Sequence, residues 1–333
     1  MKNLEGWEIS MQGLNILGFG YYLPKKKVIN NDFIDHIDTT DEWIKTRTGI
    51  NSRYLSEDEN TSKLAYEAAI KAIKNANIDK EKIDLIIVAT MTPDNFTPST
   101  ACILQGLLGL TENKVMAFDI NAACSGFVYS LNVAYSMLNS GIYKCALVVG
   151  CETLSKIIDF TDRSTCILFG DGAGAVVATV SEDKKSYFYT RSKYDEEKVL
   201  IAEGISLSNN MNNSVVPDHF LRMNGQEVFK FAINALEDGI TEILKRANKT
   251  IDDIDVIIPH QANLRIINNV SRKLKLESGK MYVNLDKYGN TSAASIAIAL
   301  SEGFESGVFK RGMKVILVGF GAGLTWGAVY LEL

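Results

Sequence analysis

Three residues far apart in the chain have side chains that together could carry thioester chemistry: Cys124, His260 and Asn290. They stand in the short segments Asn121-Ala-Ala-Cys-Ser-Gly126, Pro259-His-Gln-Ala-Asn263 and Gly289-Asn-Thr-Ser292. Each segment follows an apolar strand-like run and opens into a helix-like run. An ordinary thiol, with a pKa of about 8.5, is only a few per cent thiolate at neutral pH. The positive end of a helix and a nearby imidazole lower that value, so Cys124 is the candidate nucleophile. Its flanking Ala-Ala and Ser-Gly leave room for a substrate carbonyl. The other four cysteines, Cys102, Cys145, Cys151 and Cys166, read as small buried hydrophobes. Among three histidines, His36 and His219 lie in loop-like polar contexts, which leaves His260 as the partner. Asn290 is the least specific of the three, because Gly-Asn is also a turn signal.

The elements that must position these residues occur twice. Leu138-Asn-Ser-Gly141-Ile-Tyr-Lys144 and the run Ala146–Gly150 resemble Phe304-Glu-Ser-Gly307-Val-Phe-Lys310 and the run Val315–Gly319. Upstream, Lys82–Val88 resembles Asp253–Pro259. The chain therefore reads as a duplicated α/β unit, with a join between about Val180 and Leu207 and halves at residues 12–184 and 185–333. Alternating β-rich runs and helical patterns predict parallel sheets covered by helices. Val115–Ile120 and Met281–Leu285 are predicted strands. The segments after them, Phe127 to Leu138 and Thr291 to Phe304, are predicted helices. The second is rich in Ser and Ala and suited to close packing. In this register Asn290 occupies the place that Cys124 holds in the first half.

Composition narrows the alternatives. With 333 residues, 46% of them hydrophobic, the chain can fill a sizeable core. A net charge of −5 offers no general affinity for nucleic acid or anionic membrane. No apolar stretch reaches the roughly 18 residues of a membrane span, and Met1 to Met11 lacks the layout of a signal peptide. Five cysteines without a C-x-x-C pair, and so few histidines, argue against a metal site and for a reduced, cytoplasmic setting. Gly319-Phe-Gly-Ala-Gly323 leaves only ten residues after it, too few for a dinucleotide-binding βαβ unit. Gly170-Asp-Gly-Ala-Gly174 lacks the Lys-Ser/Thr of a phosphate loop. Amides at such turns can instead stabilise an oxyanion.

From about Leu14 to Leu333 the sequence resembles β-ketoacyl-acyl-carrier-protein synthase III, of the thiolase-like fold. The motifs occur in order: Asp41-Glu-Trp-Ile-Lys-Thr-Arg-Thr-Gly-Ile50, the Ala-Ala-Cys-Ser-Gly corner, Phe169-Gly-Asp-Gly-Ala-Gly174, Pro259-His-Gln-Ala-Asn-Leu-Arg265, Gly289-Asn-Thr-Ser-Ala-Ala-Ser295 and Gly323-Leu-Thr-Trp-Gly327. The resemblance implies an α/β architecture of two duplicated halves in five layers, α-β-α-β-α. It also implies a ping-pong condensation. Cys124 takes an acyl group from acyl-coenzyme A, with the oxyanion held by the amides of Cys124 and Ala322. His260 and Asn290 then hydrogen-bond the thioester of malonyl-acyl carrier protein as carbon dioxide leaves, and the enolate attacks the acyl-cysteine. No bound cofactor and no metal is required, and a homodimer is implied.

By position in the motifs, Trp43 and Arg163 would sandwich the adenine of coenzyme A. Arg47 and Thr48 would line the same entrance, and Gly225, Phe229, Ala262 and Asn263 the pantetheine tunnel. Lys230, Arg265, Arg272 and Lys273 match the basic patch that receives the carrier protein. Phe96, Thr97 and Phe169 match the acyl pocket. Where the family often has an aromatic residue before the proline that reaches across the dimer, Thr97 precedes Pro98 and Phe96 lies one residue earlier, so a pocket wider than acetyl is an open expectation. The first dozen residues precede the resemblance and have no assigned role. A specialised-metabolism acyltransferase and a non-catalytic dimer partner are the rival readings.

Overall fold

The computed structural model describes residues 12–112, 114–205 and 219–333; the expectations for Met1 to Met11 and for Leu207 concern residues outside them. Two sheets follow one plan. In the first the spatial order is Gly13–Tyr22, Gly172–Ser181, Ala146–Glu152, Leu85–Ala89, Met116–Ile120. In the second it is Ser186–Ser192, Thr325–Glu332, Lys314–Gly321, Val256–Pro259. Strand by strand these orders correspond, and residues 182–185 connect the two sheets. Leu85–Ala89 pairs in parallel with both its neighbours, as Val256–Pro259 does with Lys314–Gly321. The sheets are mixed and not parallel throughout as expected, because Gly172–Ser181 and Thr325–Glu332 run antiparallel to both of their neighbours.

Alternation along each strand builds the layers, because successive side chains point to opposite faces. Ala146, Val148, Val315 and Leu317 face a central core that also holds Phe127, Leu131, Ile296 and Leu300. Leu147 and Val149 face the helix Thr61–Ala76, through Leu64, Ala68 and Ala72. Ile316 and Val318 face the helices Gly225–Ala247 and Leu264–Lys273, through Leu236, Ile240 and Ile267. The central layer is the helix pair Gly126–Asn139 and Ala294–Glu305. The latter is wholly buried from Ala294 to Gly303. A Cβ on Gly174 would lie 2.5 Å from Ala297, so small residues set how closely this helix approaches the sheet.

The fifth strand expected in the second half does not form. Met281 makes one isolated bridge to Ile257, and the short helix Leu285–Tyr288 follows. The side chain of Gln261 supplies what a neighbouring strand would. Its Nε2 donates to the carbonyls of Pro259 and Tyr282, and its Oε1 accepts from the Asn284 N–H. Satisfied by a side chain, these backbone groups need no ladder.

The register of the repeat is also corrected. Asn121 Oδ1 accepts from the Ala123 N–H at 3.2 Å, and Asn290 Oδ1 from the Ser292 N–H at 2.9 Å. Ala123 (φ 46°) and Ser292 (φ 49°) are both left-handed. Asn290 is thus the counterpart of Asn121, and Cys124 is the counterpart of Ala293. The register holds at Gly141 and Gly307, where both helices end, but slips by three residues across the second helix, which begins at Ala294 and not at Thr291.

Candidate active site

Cys124 lies in a single 3-10 turn, Ala123–Ser125, immediately before the helix Gly126–Asn139. The first amides of a helix have no partner within it, so the Cys124 N–H faces an end that suits developing negative charge. Gly319-Phe-Gly-Ala-Gly323 is a hairpin tip: Gly321 pairs with Thr325. A Cβ on Gly321 would lie 2.6 Å from the Cys124 nitrogen, which brings the tip, and with it Ala322, against the cysteine. The second glycine-rich run is not a source of free amides at the site, because the Gly170 N–H donates to the Asn290 carbonyl at 3.0 Å.

A cavity of about 100 Å³ is lined by Cys124, His260, Asn290, Ser292 and Ala322, with apolar walls from Met91, Leu154, Phe169, Leu221 and Met223. His260 is buried, and its Nδ1 lies 2.7 Å from Ser295 Oγ. The Gln261 N–H donates to the same oxygen at 3.4 Å. Nε2 has no partner among the described residues, and it is a donor towards the cavity in the tautomer in which Nδ1 accepts from Ser295. Asn290 Oδ1 is occupied by the Ser292 N–H, so the NH₂ end of its carboxamide is the one free for a ligand. Two hydrogen-bond donors thus serve one cavity beside a thiol. Asn290 is also bridged to Phe169, which fixes a wall of the pocket to the carboxamide.

Burial changes the protonation expected from motifs alone. It pushes the Cys124 thiol up to about 12, with the Ser292 hydroxyl drawing it the other way. It pushes His260 down to about 3. In the free site both groups are neutral, and the activated thiolate anticipated from a helix end and an imidazole is not the resting state. Glu152, buried at the end of its strand, is pushed up to about 7 by burial, against hydrogen bonds from Thr92, Met91, Ser292 and Thr90.

An outer groove of about 600 Å³ is lined by Trp43, Arg47, Thr48, Arg163, Lys230 and Arg265. Gly225, Phe229 and Asn263 line both it and the inner cavity, so the two are continuous. Ala262 lines the inner part. The Arg163 guanidinium rests 4.7 Å from the Trp43 ring centre, and a ring can enter between them only when that guanidinium lifts away. Thr48 and Asn263 have structural duties as well. The Thr48 hydroxyl donates to the Ile44 carbonyl, and Asn263 Oδ1 accepts from the Arg265 N–H.

The remaining residues are only partly brought together. Arg265 and Arg272 share a surface depression, whereas Lys273 is paired with Glu237 at 2.5 Å and Lys230 with Glu227 at 2.7 Å. Phe96 and Thr97 do not line this chain's own cavity, and Phe96 is 81% exposed. Cys102 is exposed, against the expectation of a buried hydrophobe, while Cys145, Cys151 and Cys166 are buried. Sequence reasoning passed over Ser292 and Ser295, although both stand in the Gly-Asn-Thr-Ser-Ala-Ala-Ser motif. It also passed over Glu152, whose signal was an acid ending an otherwise apolar run.

Comparison with known proteins decides the family. Family models described as 3-oxoacyl-[acyl-carrier-protein] synthase III match residues 118–195 and, for the C-terminal part, residues 244–333. The β-ketoacyl-[acyl-carrier-protein] synthase III of Clostridium perfringens is 50% identical over 97% of this chain and 100% of its own length. This chain belongs to the β-ketoacyl-acyl-carrier-protein synthase III family. The Fusobacterium nucleatum synthase III is 46% identical over 97% of the chain and 99% of its own length. The solved 3-oxoacyl-[acyl-carrier-protein] synthase III of Aquifex aeolicus superimposes with a TM-score of 0.89 at 46% identity, covering 96% of this chain and 100% of that one. The priming β-ketosynthase of the R1128 polyketide pathway reaches 0.91 at 34% identity, covering 100% and 99%. The fold is thiolase-like, and the chain is an acyltransferase of the condensing type.

Proposed function

We propose that the protein joins an acyl-coenzyme A primer to malonyl-acyl carrier protein, with loss of carbon dioxide, to start fatty acid synthesis. The observation that carries this reading is that the unpartnered His260 Nε2 and the Asn290 amide serve the same cavity as the Cys124 thiol, where each acts as a neutral donor. Cys124 attacks the acyl thioester, and the oxyanion is stabilised by the Cys124 and Ala322 amides in a site shielded from water. Coenzyme A leaves through the groove beside Trp43 and Arg163, and the malonyl thioester enters by the same route. Its carbonyl oxygen takes hydrogen bonds from His260 and Asn290, which favour the enolate over the ketone as the carbon–carboxylate bond breaks. The enolate attacks the acyl-cysteine and expels the sulfur. Polarisation by two neutral donors accounts for the chemistry, and no bound cofactor enters the scheme.

Arg265, Arg272 and Lys230 at the mouth are the residues on which an acidic carrier protein would dock, with Lys273 the weakest candidate because Glu237 already holds it. A homodimer is supported by the edge strand Met116–Ile120, which among the described residues has a neighbour on one side only, and by exposed Leu107 and Met116 nearby. In such a dimer Phe96 and Thr97 would reach the partner's acyl pocket. No helix among the described residues is long and apolar enough to cross a membrane, and a cytoplasmic setting accords with the free cysteines.

Intact-protein mass spectrometry tests the reading. Acetyl-coenzyme A should add one acyl group to Cys124, discharged only when malonyl-acyl carrier protein is supplied, and Cys124→Ala should abolish both steps. Retention of condensation in that variant would refute the assignment. Initial rates with acetyl-, isobutyryl- and octanoyl-coenzyme A measure the width of the pocket, and a strict acetyl preference would exclude the wider one.

A further inference from the structure

Glu152 has no part in the condensation as proposed, yet its carboxyl group accepts from the hydroxyl of Ser292, which lines the same cavity as the nucleophile. Its two oxygens are unequally occupied. Oε2 accepts from Thr90 Oγ1 at 3.1 Å, from the N–H groups of Met91 and Thr92 at 3.1 and 3.2 Å, and from Thr92 Oγ1 at 2.5 Å. Oε1 has Ser292 Oγ at 3.1 Å and only the longer arm of the Met91 N–H, at 3.3 Å. A proton arriving at this carboxylate therefore settles on Oε1, the oxygen that faces Ser292. Ser292 and Cys124 line the same cavity, and the Ser292 hydroxyl opposes the rise that burial imposes on the Cys124 thiol.

We propose that Glu152, working through Ser292, stores the Cys124 proton for the lifetime of the acyl-enzyme. As the sulfur bonds to the acyl carbon, its proton passes to Ser292 Oγ while the Ser292 proton passes to Glu152 Oε1. The acyl–sulfur bond of coenzyme A breaks, and its thiolate takes a proton from solvent. In condensation the malonyl carbon–carboxylate bond breaks, its electron pair forms the enolate, and the new carbon–carbon bond expels Cys124 as thiolate. The stored proton then returns through Ser292 to the sulfur. One turnover consumes a single solvent proton, the one taken by coenzyme A.

The alternative store, His260, is poorly suited. Its Nδ1 is engaged with Ser295, and burial holds it far below neutrality at about 3. Glu152, pushed up to about 7, can both take and return a proton. The titratable groups around it are Cys124 across the cavity wall and Cys151 on its own strand. Farther out lie Asp94, 3.7 Å from Lys156, and Asp171, which accepts from Ser155 and Ser56.

The inference rests on the acyl-enzyme reading, and one experiment separates their failures. Single-turnover acylation by acetyl-coenzyme A would be followed by intact mass from about pH 5.5 to 8.5 in the wild type, Glu152→Gln, Glu152→Asp and Ser292→Ala. The wild-type rate should rise with pH through an inflection near about 7. Glu152→Gln and Ser292→Ala should lose that inflection and fall about tenfold or more at the plateau, while Glu152→Asp, still able to bind a proton, keeps an inflection at reduced rate. A Gln variant that keeps both the inflection and a rate within about twofold of wild type would overturn the proposal. If that variant does not fold, Ser292→Ala decides by the same criterion. A wild type that gains no acyl mass overturns the acyl-enzyme reading itself.

Discussion

Ser295 Oγ lies 2.7 Å from His260 Nδ1, and this contact sets which imidazole nitrogen faces the substrate. With the hydroxyl donating to Nδ1, the imidazole presents Nε2–H to the cavity, where that nitrogen has no partner among the described residues. In Ser295→Ala that tautomer loses its support. Condensation should fall about tenfold or more, with acylation of Cys124 changed by less than about threefold. The two half-reactions, measured separately by acyl mass and by carbon dioxide release, check this. Equal losses in both would count against it.

Gly321 is required by space. A Cβ there would stand 2.6 Å from the Cys124 nitrogen and 3.2 Å from the Ser125 nitrogen, and neither backbone atom can swing aside as a side chain would. Gly321→Ala should cost about 1–3 kcal/mol of stability and slow acylation, because the hairpin tip carrying Ala322 must move off the cysteine. Thermal unfolding together with the acylation rate would show both effects. An unchanged acylation rate would mean that the tip does not position the oxyanion donors.

Trp43 should contribute to binding and not to chemistry. It lies in the outer groove with Arg163 at 4.7 Å and Arg47 at 5.7 Å from its ring centre. Trp43→Ala should raise KM for acyl-coenzyme A about tenfold and leave kcat within about twofold. Steady-state kinetics on the acyl-coenzyme A substrate distinguish this from a fall in kcat alone, which would place the tryptophan in a different role.

The two buried titratable groups make opposite demands on stability. Glu152 has a folded pKa near 7, above its ordinary 4.5, so its stabilising effect is full below about pH 4.5 and is lost as pH rises through 7. Glu152→Gln should therefore gain stability relative to wild type on going from pH 5 to pH 8, by at most about 3 kcal/mol. His260 has a folded pKa near 3, below its ordinary 6.5, so its neutral form supports the fold above 6.5 and that support drains as pH falls towards 3. Chemical denaturation at several pH values reads both slopes. A Glu152→Gln difference that does not change with pH would mean that the carboxyl is not strained by ionisation.

Much of this molecule is visible in its residues. The repeated runs at Ala146 and Val315 mark two copies of one α/β unit because strands covered on both sides must be apolar on both faces. The glycines at 141 and 307 mark where the paired central helices end. The strand expected at Met281–Leu285 was misread for a physical reason: its apolar pattern suits a strand, but the ladder it needs is replaced by the side chain of Gln261. Slippage of the repeat across the second central helix was likewise hidden, because two Asx turns that look alike in space, at Asn121 and Asn290, flank helices of different length.

The sequence alone determined which functional groups exist, a thiol, an imidazole and a carboxamide, and that the cysteine and the histidine each stand between a strand and a helix. Residue type and local periodicity suffice for that. Their protonation states and division of labour were decided by the tertiary structure. Desolvation by walls drawn from both halves drives Cys124 and His260 to neutrality. Ser295 engages the Nδ1 side of the His260 imidazole, and Glu152 accepts from Ser292, 140 residues away in the chain. Such effects depend on distance in space and on exclusion of water, and neither is written in the spacing of residues along a chain.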